Sequence, residues 1–276
     1  MEHTSRGSRP FLRWAGSKRR VLPRLLPYWC DSYSRYVEPF MGSASLFFAL
    51  EPSRALLSDI NSELVRTFIA VRDSPETVYD ELMQIPPGKD SYYQVRALQT
   101  QGMSVPRIAA RFIFLNRFCF NGLYRTNMQG RFNVPFSSSR TGHLATREEL
   151  AAASRALKSV DLRTADFEEV LSEVERGDFV YLDPPYAVSE RRIFCEYGPR
   201  PFSVSDLKRL AVALDRMDKK GVCFVVSYAL CKEAIDAFQN WTTKRVVVDR
   251  NIAGFAKHRR RAVELLVSNC GYGRCA

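Results

Sequence analysis

Four consecutive residues, Asp183-Pro184-Pro185-Tyr186, follow directly on the apolar run Phe179-Val180-Tyr181-Leu182. The two prolines fix φ, remove two backbone donors and hold the chain extended, which leaves the Pro184 carbonyl free to accept a hydrogen bond. A carboxylate and a carbonyl side by side form an acceptor pair suited to an exocyclic amino group, and Tyr186 offers a flat face for stacking a planar ring. An aromatic amine is a poor nucleophile because its lone pair is delocalised into the ring. Two acceptors gripping its N–H bonds bias the nitrogen toward a pyramidal geometry and free that lone pair for attack. Asp and Pro are also ordinary turn residues. What favours a site over a turn is position: in an open parallel sheet, ligands sit beyond the carboxyl ends of strands. Asp183, Pro184 and Tyr186 are the expected catalytic residues.

A second strand end, Glu38-Pro39-Phe40-Met41-Gly42-Ser43, opens into a helix, and a glycine there lets backbone approach a ligand closely. Asp59 closes the next strand about twenty residues on, where a carboxylate can bind both hydroxyls of a ribose. Dinucleotide sites usually carry Gly-x-Gly-x-x-Gly, because their pyrophosphate must reach a helix N-terminus. Only one of those glycines is present here. A cofactor with adenosine but no phosphate fits better, and S-adenosylmethionine is expected, with Phe40, Gly42 and Asp59 at its site.

Alternating elements must position these residues. Tyr36-Val37 reads as a short strand, residues 43–50 as a helix and Ala55-Leu56-Leu57 as a buried strand ending at Ser58-Asp59. Asn61 is a plausible N-cap for a helix to about Val71. Further on, a helical stretch (148–160) precedes the strand 179–182. Leu207, Leu210, Ala211, Leu214 and Met217 then repeat at helical spacing, with Ser203 and Asp206 as a capping box and Gly221 as a stop. Residues 222–226, 245–248 and 262–267 read as the last strands. A continuous apolar run fits a strand covered on both faces, so the expected fold class is α/β, a doubly wound, mostly parallel, Rossmann-like sheet. Residues 10–73 and 146–270 should build it. Residues 74–145 should form an inserted, mainly helical subdomain containing a β-hairpin loop within the aromatic, amide and arginine-rich stretch 116–136.

The chain has 276 residues, 46% hydrophobic and 26% charged, a globular composition that excludes a disordered or collagen-like protein. Forty-one Lys and Arg against thirty Asp and Glu leave a net charge of +11. The excess clusters at Lys18-Arg19-Arg20, Arg191-Arg192, Lys219-Lys220 and Lys257-His258-Arg259-Arg260-Arg261, the footprint of a phosphate-backbone binder or of a solvated face. None of the seven cysteines sits in a Cys-x-x-Cys pair, so free thiols and no metal site are expected. The apolar run 222–230 is broken by Ser227 and too short to cross a bilayer, and residues 1–10 lack the apolar stretch of a secretion signal. A cytoplasmic protein with no membrane partner is expected, in a bacterial cell or a phage-infected host.

Four segments carry a family resemblance: Phe11-Leu12-Arg13-Trp14-Ala15-Gly16-Ser17-Lys18, Val37-Glu38-Pro39-Phe40-Met41-Gly42-Ser43, Asn116-Arg117-Phe118-Cys119-Phe120-Asn121-Gly122-Leu123-Tyr124-Arg125, and Asp183-Pro184-Pro185-Tyr186. In this order they resemble the Dam-type DNA adenine-N6 methyltransferases, as do Asp59 and Arg131-Phe132-Asn133-Val134-Pro135-Phe136. The resemblance implies a methyltransferase sheet and duplex DNA as partner, with a monomer expected. It implies that Trp14 and Lys18 border S-adenosylmethionine, that Asp59 holds its ribose, and that Asp183 lies between cofactor and target base. It also implies that residues 116–136 help to read DNA, with Arg13, Asn121, Leu123, Arg125, Asn133 and Pro135 as DNA-binding residues. On residue chemistry alone, Arg117, Arg125 and Arg131 can reach phosphates or guanine edges and amide side chains can pair with adenine. The same stretch also reads as a polar hairpin turning at Asn121-Gly122. Three departures stand out: Ala44 where the family usually has a second glycine, Arg13 where lysine is common, and Ser137-Ser138-Ser139 after Phe136.

The expected reaction is direct, in-line methyl transfer to the exocyclic amine of a flipped-out adenine, with no metal and no covalent intermediate, and the resemblance implies a target within GATC or a related short site. The chain has no Pro-Cys dipeptide, against a cysteine-nucleophile route to a cytosine ring carbon. Two other readings share these residues. One is a methyltransferase acting on RNA adenine or protein glutamine, although glutamine enzymes usually begin the motif with Asn. The other is a catalytically silent DNA-binding homologue.

Overall fold

Consecutive apolar residues in each central strand point to opposite sides, because side chains alternate across a pleat. The computed structural model describes residues 7–127, 129–137, 142–187, 202–250 and 260–271. Its strands are β1 (Arg35–Glu38), β2 (Ala55–Asp59), β3 (Val160–Thr164), β4 (Asp178–Leu182), β5 (Cys223–Ala229), β6 (Thr242–Arg250) and β7 (Arg260–Ser268). Tyr36, Leu57, Phe179, Tyr181, Val225 and Leu266 enter one core cluster. Their neighbours Val37, Leu56, Val180, Leu182, Val226 and Leu265 enter a second. The sheet is therefore covered on both faces, which is why its strands read as unbroken apolar runs.

The strands run in the order β3-β2-β1-β4-β5-β7-β6. β1 pairs in parallel with β2 and β4, β2 with β3, and β4 with β5. Only β7 is antiparallel to its neighbours β5 and β6. The expected α/β class and mostly parallel sheet are met. The order reverses between β1 and β4, the topological switch where a crevice opens past the carboxyl ends of strands.

The first core cluster is roofed by α1 (Leu22–Leu25), α2 (Ser45–Leu50), α3 (Ser62–Asp73), α4 (Pro75–Met83), α5 (Lys89–Ala97), α6 (Val105–Phe118) and α7 (Arg147–Leu157). The second lies under α8 (Phe167–Ser172), α9 (Val204–Lys220) and α10 (Lys232–Ala237). Asn61 caps α3 as expected, its Oδ1 accepting from the Glu63 and Leu64 N–H groups. Ser203 and Asp206 form the capping box of α9, and Gly221 ends it with φ +74°. Strand β3 and helices α8 and α10 were not anticipated. Residues 158–160 belong partly to β3 rather than wholly to the helix before it.

Within residues 74–145, Val78, Leu82, Tyr92 and Phe112 share the core cluster of Tyr36 and Phe179. The chain beyond α6 returns on itself through two isolated antiparallel bridges, Cys119 to Phe136 and Thr126 to Phe132. Its reversal lies at Asn127, whose Oδ1 accepts from the Gln129 and Arg131 N–H groups. Asn121-Gly122 is not that tip: it forms a separate 3-10 turn, with φ of +54° and +65°.

The expectation of free thiols is corrected at Cys30, Cys223 and Cys270, each of which is disulfide-bonded. The antiparallel register that sets Val225 opposite Ser268 brings Cys223 and Cys270 together two residues further out. They are joined as a disulfide, with Cα atoms 5.6 Å apart. A sequence separation of 47 hid the pair. Cys119 and Cys231 are free. Among the described residues no helix is long and apolar enough to cross a membrane, and no three His, Cys, Asp or Glu side chains gather as a metal site.

Candidate active site

Asp183 leaves β4 at its carboxyl end, on the same edge of the sheet where β1 delivers Glu38 and β2 delivers Asp59. Its carboxylate is partly exposed, and one oxygen lies 2.8 Å from Lys18 Nζ. Lys18 begins a 3-10 turn after Ser17, and the Ser17 and Ser45 hydroxyls are hydrogen-bonded at 2.9 Å, which pins the turn to α2. The ammonium is buried. It also donates to the Tyr186 hydroxyl at 3.1 Å and sits 3.7 Å from Glu264 on β7. The Tyr186 hydroxyl in turn donates to Glu264 at 3.4 Å. Burial, the largest single influence, pulls the Lys18 pKa down. The Asp183, Tyr186 and Glu264 groups outweigh it and leave the ammonium well above its ordinary value. Lys18 is thus a permanent buried cation, not part of an exposed basic cluster.

Tyr228 of β5 supports the loop after the motif. Its hydroxyl accepts from the Ala187 N–H at 2.6 Å, and its ring meets that of Tyr186 edge-on at 5.1 Å. Beneath the motif, the Tyr181 and Ser227 hydroxyls are hydrogen-bonded at 3.0 Å. Glu38 is buried with its carboxylate accepting from the Tyr36 hydroxyl at 2.8 Å. Burial pushes the Glu38 pKa well above the carboxylate range; the Tyr36 bond opposes this and the Asp183 charge adds to it.

The neighbouring strand ends form a second cradle. Gly42 has φ +45°, and a Cβ there would lie 2.9 Å from the Trp14 indole, so only glycine lets ring and loop meet so closely. The Gly42 N–H donates to one Asp59 oxygen at 3.2 Å and the Asn61 N–H to the other at 2.9 Å. Burial raises Asp59 to about 6 against the pull of the Asn61, Gly42 and Ile60 N–H groups. Ala44, which departs from the family pattern, lies in the left-handed region at φ +50°, at a cost of about 1 kcal/mol relative to a glycine there. Phe40 stacks on Phe167 at 5.3 Å and meets Phe202 edge-on at 6.0 Å, forming an apolar wall beside the cradle.

The expected DNA-binding residues fall into two groups. Arg125 and Asn133 face one another across the returning segment: Arg125 Nε donates to Asn133 Oδ1 at 2.8 Å, and the Asn133 N–H donates to the Arg125 carbonyl at 3.0 Å. Pro135 is exposed, and its carbonyl accepts from the Phe120 N–H at 2.9 Å. Arg13, Asn121 and Leu123 are half-buried near the Trp14 loop, where Arg13 carries a buried Nη1 with no hydrogen-bond partner. Burial first and the Arg13 charge second hold the Arg117 pKa below its ordinary value; Glu149 opposes them and Arg19 adds to them. Positive charge is therefore concentrated at this end of α6. Lys219 and Lys220 do not contribute. Lys219 pairs with Asp215 one helical turn away, and Lys220 donates to the Ser172 and Val174 carbonyls. Arg191-Arg192 and Lys257-His258-Arg259 lie outside the described residues.

Two site residues escaped sequence reasoning. Glu264 lies in a strand whose apolar residues hide it, and only the antiparallel placement of β7 beside β5, with Glu264 opposite Ala229, brings it to Lys18. Phe167 belongs to the unanticipated helix α8.

The family model of D12 class N6 adenine-specific DNA methyltransferases matches residues 14–253. A Lactococcus lactis subsp. cremoris protein named Type II methyltransferase M1.LlaDCHI is 33% identical over 272 residues, which is 95% of this chain and 96% of that one. Type II methyltransferase M.MjaIII of Methanocaldococcus jannaschii is 31% identical over 286 residues, covering 95% and 99%. A DNA adenine methylase of Haemophilus influenzae is 28% identical, covering 94% and 92%. Because the match runs from the Trp14 loop through the strand ends bearing Asp59 and Asp183 with both chains covered almost whole, this protein belongs to the D12 class of N6 adenine-specific DNA methyltransferases.

Proposed function

We propose that the chain uses S-adenosylmethionine to methylate the exocyclic amine of adenine in duplex DNA, within GATC or a related short site, after flipping the base out of the stack. The observation that carries this reading is the Asp183 carboxylate at the end of β4, partly exposed and 2.8 Å from the buried Lys18 ammonium. Such an oxygen is fixed in direction before any substrate arrives, which is what alignment-based catalysis requires. Asp183 and the Pro184 carbonyl grip the target amine, and Tyr186 stacks on the ring. Unstacking costs a few kcal/mol, which base stacking and phosphate contacts from the positive end of α6 offset. Asp183 acts as acceptor and orienter: an ionised carboxylate is too weak a base to deprotonate an aromatic amine beforehand, so the proton leaves during or after transfer.

The cradle fits an adenosine-containing donor. The Gly42 loop admits close approach, and among the described residues no cation pairs with the Asp59 carboxylate, which leaves it to receive two ribose hydroxyls. Trp14, Lys18, Phe40, Gly42, Asp59 and Asp183 would hold the donor, whose sulfonium supplies an electrophilic methyl group when bound. In this reading residues 10–73 and 146–270 form the catalytic part. Residues 74–145 form the target-recognition part, with Arg13, Asn121, Leu123, Arg125, Asn133 and Pro135 at the DNA. The enzyme works as a monomer in the cytoplasm.

The test is modified-base sequencing of DNA from a methylation-free host expressing the chain. N6-methyladenine at one short motif is expected; an unmodified genome in cells holding soluble protein overturns the proposal. The same reading predicts a pH dependence. Only the ionised Asp59 accepts from both hydroxyls, and its pKa is about 6. Donor affinity should therefore be flat above about pH 7 and about tenfold weaker at pH 5, as the carboxylate protonates. Calorimetric titration with S-adenosylhomocysteine measures this, and Asp59→Asn should bind weakly with the pH dependence gone.

A further inference from the structure

We propose that Asn116 is a positioning residue that locks the DNA-reading segment to the loop bearing Trp14 and Lys18, so that duplex binding and methyl-donor binding strengthen one another. The inference rests on the functional reading above and deepens it. Asn116 ends the buried face of α6, and its amide makes a two-sided grip on a single residue of the loop. Its Oδ1 accepts from the Arg13 N–H at 2.8 Å, and its Nδ2 donates to the Arg13 carbonyl at 2.6 Å. One side chain thereby satisfies both backbone groups of Arg13, as a neighbouring strand would.

Two further ties join the same loop to the same segment. The Gly122 carbonyl accepts from the Ala15 N–H at 3.2 Å. Gly122 has φ +65°, and a Cβ there would lie 2.8 Å from the Arg13 carbonyl oxygen, so the two backbones approach as closely as glycine allows. The Trp14 indole lies nearly parallel to Phe112, at 6.4 Å and 22°, and to Tyr124, at 6.1 Å and 20°. Tyr124 is itself anchored, its hydroxyl donating to Glu63 at 3.0 Å, and Glu63 pairs with Arg111 at 2.9 Å. Trp14 therefore lies next to both the recognition segment and the Gly42 loop.

Residues 13–16 belong to no helix or strand. Between the Asn116 grip and the Lys18 ion pair, the loop is tied to the recognition segment through the Ala15 N–H and the Gly122 carbonyl, to itself through the turn from Trp14 to Ser17, and to α2 through the Ser17 and Ser45 hydroxyls. A duplex that orders residues 116–136 must then favour the loop position that presents Trp14 and Lys18 to the donor. A donor that fixes the loop must favour the ordered segment equally, because coupling between two binding sites is reciprocal.

The experiment measures the Kd of S-adenosylhomocysteine with and without a duplex carrying the methylated site, and the Kd of that duplex with and without S-adenosylhomocysteine. The demethylated donor prevents turnover. Wild type should show the same coupling factor from both directions, at least about fivefold. Asn116→Asp keeps size and the acceptor for the Arg13 N–H, but sets an oxygen against the Arg13 carbonyl. In this variant the factor should fall below about twofold, with each ligand alone bound within about threefold of wild type. Tyr124→Leu, which removes the aromatic stack on Trp14, should lower the factor independently and carries the test if Asn116→Asp does not fold. A merely structural role would weaken each ligand without changing the factor. The inference is overturned if wild type binds both ligands with no coupling, or if the folded variants keep the wild-type factor. Wild type that binds neither ligand overturns the functional reading itself.

Discussion

Asp183→Ala is expected to lower kcat by about 10³-fold, the usual scale for removing a preorganised charge-stabilising group, while the Kd for duplex DNA stays within about threefold of wild type. The two readouts separate because the residue stands apart from the basic surface. Its carboxylate faces Lys18 and the strand ends, whereas the accumulated positive charge lies around Arg13, Arg19 and Arg117. The fold should survive, since Lys18 keeps the Tyr186 hydroxyl at 3.1 Å and Glu264 at 3.7 Å. Asp183→Asn provides the graded control. It retains one acceptor of the right size but adds an N–H that cannot accept from the target amine, so its rate should fall between wild type and alanine. Single-turnover transfer of a labelled methyl group, with binding followed by fluorescence anisotropy, measures both quantities. A folded Asp183→Ala protein active within about tenfold of wild type would remove Asp183 from the chemistry.

Most of the sheet was legible because buried parallel strands announce themselves. The runs at 179–182 and 222–226 are continuous in apolar residues, since both faces are covered, and strong caps such as Asn61 and Ser203 mark helix starts by residue type. Strand β3 was illegible for the complementary reason. It lies at the sheet edge and reads Val-Asp-Leu-Arg-Thr, with one buried residue; its charges suit an edge that must not pair with another chain. Helices α8 and α10 span only six residues each, too short for a helical period to show above background.

The site was legible where it sits in contiguous motifs and illegible where the fold assembles it from afar. Asp183 and Tyr186 occur together in the chain, and Lys18 and Trp14 entered through the family pattern. Glu264, the Cys223–Cys270 disulfide and the Asn116 grip depend on contacts made across 246, 47 and 103 positions, which no local pattern encodes. Charge clustering left a phosphate-backbone binder and a solvated face both open, and the lysines of those clusters differ in their surroundings: Lys18 is a buried ion-pair partner, Lys219 pairs with Asp215, and Lys220 donates to the Val174 carbonyl. Net charge describes the long-range field, and the role of each lysine depends on its neighbours.

Lys18→Met is expected to destabilise the protein by about 3 kcal/mol, toward the lower end of the cost of breaking a buried ion pair because Asp183 is partly exposed. The substitution keeps the apolar stem and removes only the ammonium. Two carboxylates, Asp183 and the buried Glu264, then lose the cation they share, and Tyr186 loses the donor to its hydroxyl. For a chain of this length the loss corresponds to a Tm lower by about 5 °C. Added salt should not restore it, because mobile ions screen buried charges poorly. The decisive measurement is the double variant. If like charge is the cause, adding Glu264→Gln to Lys18→Met should recover a measurable part of the lost stability, although Glu264→Gln alone destabilises. Strict additivity of the two changes would mean that Lys18 and Glu264 act independently, and a Lys18→Met protein melting within about 1 °C of wild type would show that the ammonium carries none of the stability assigned to it here.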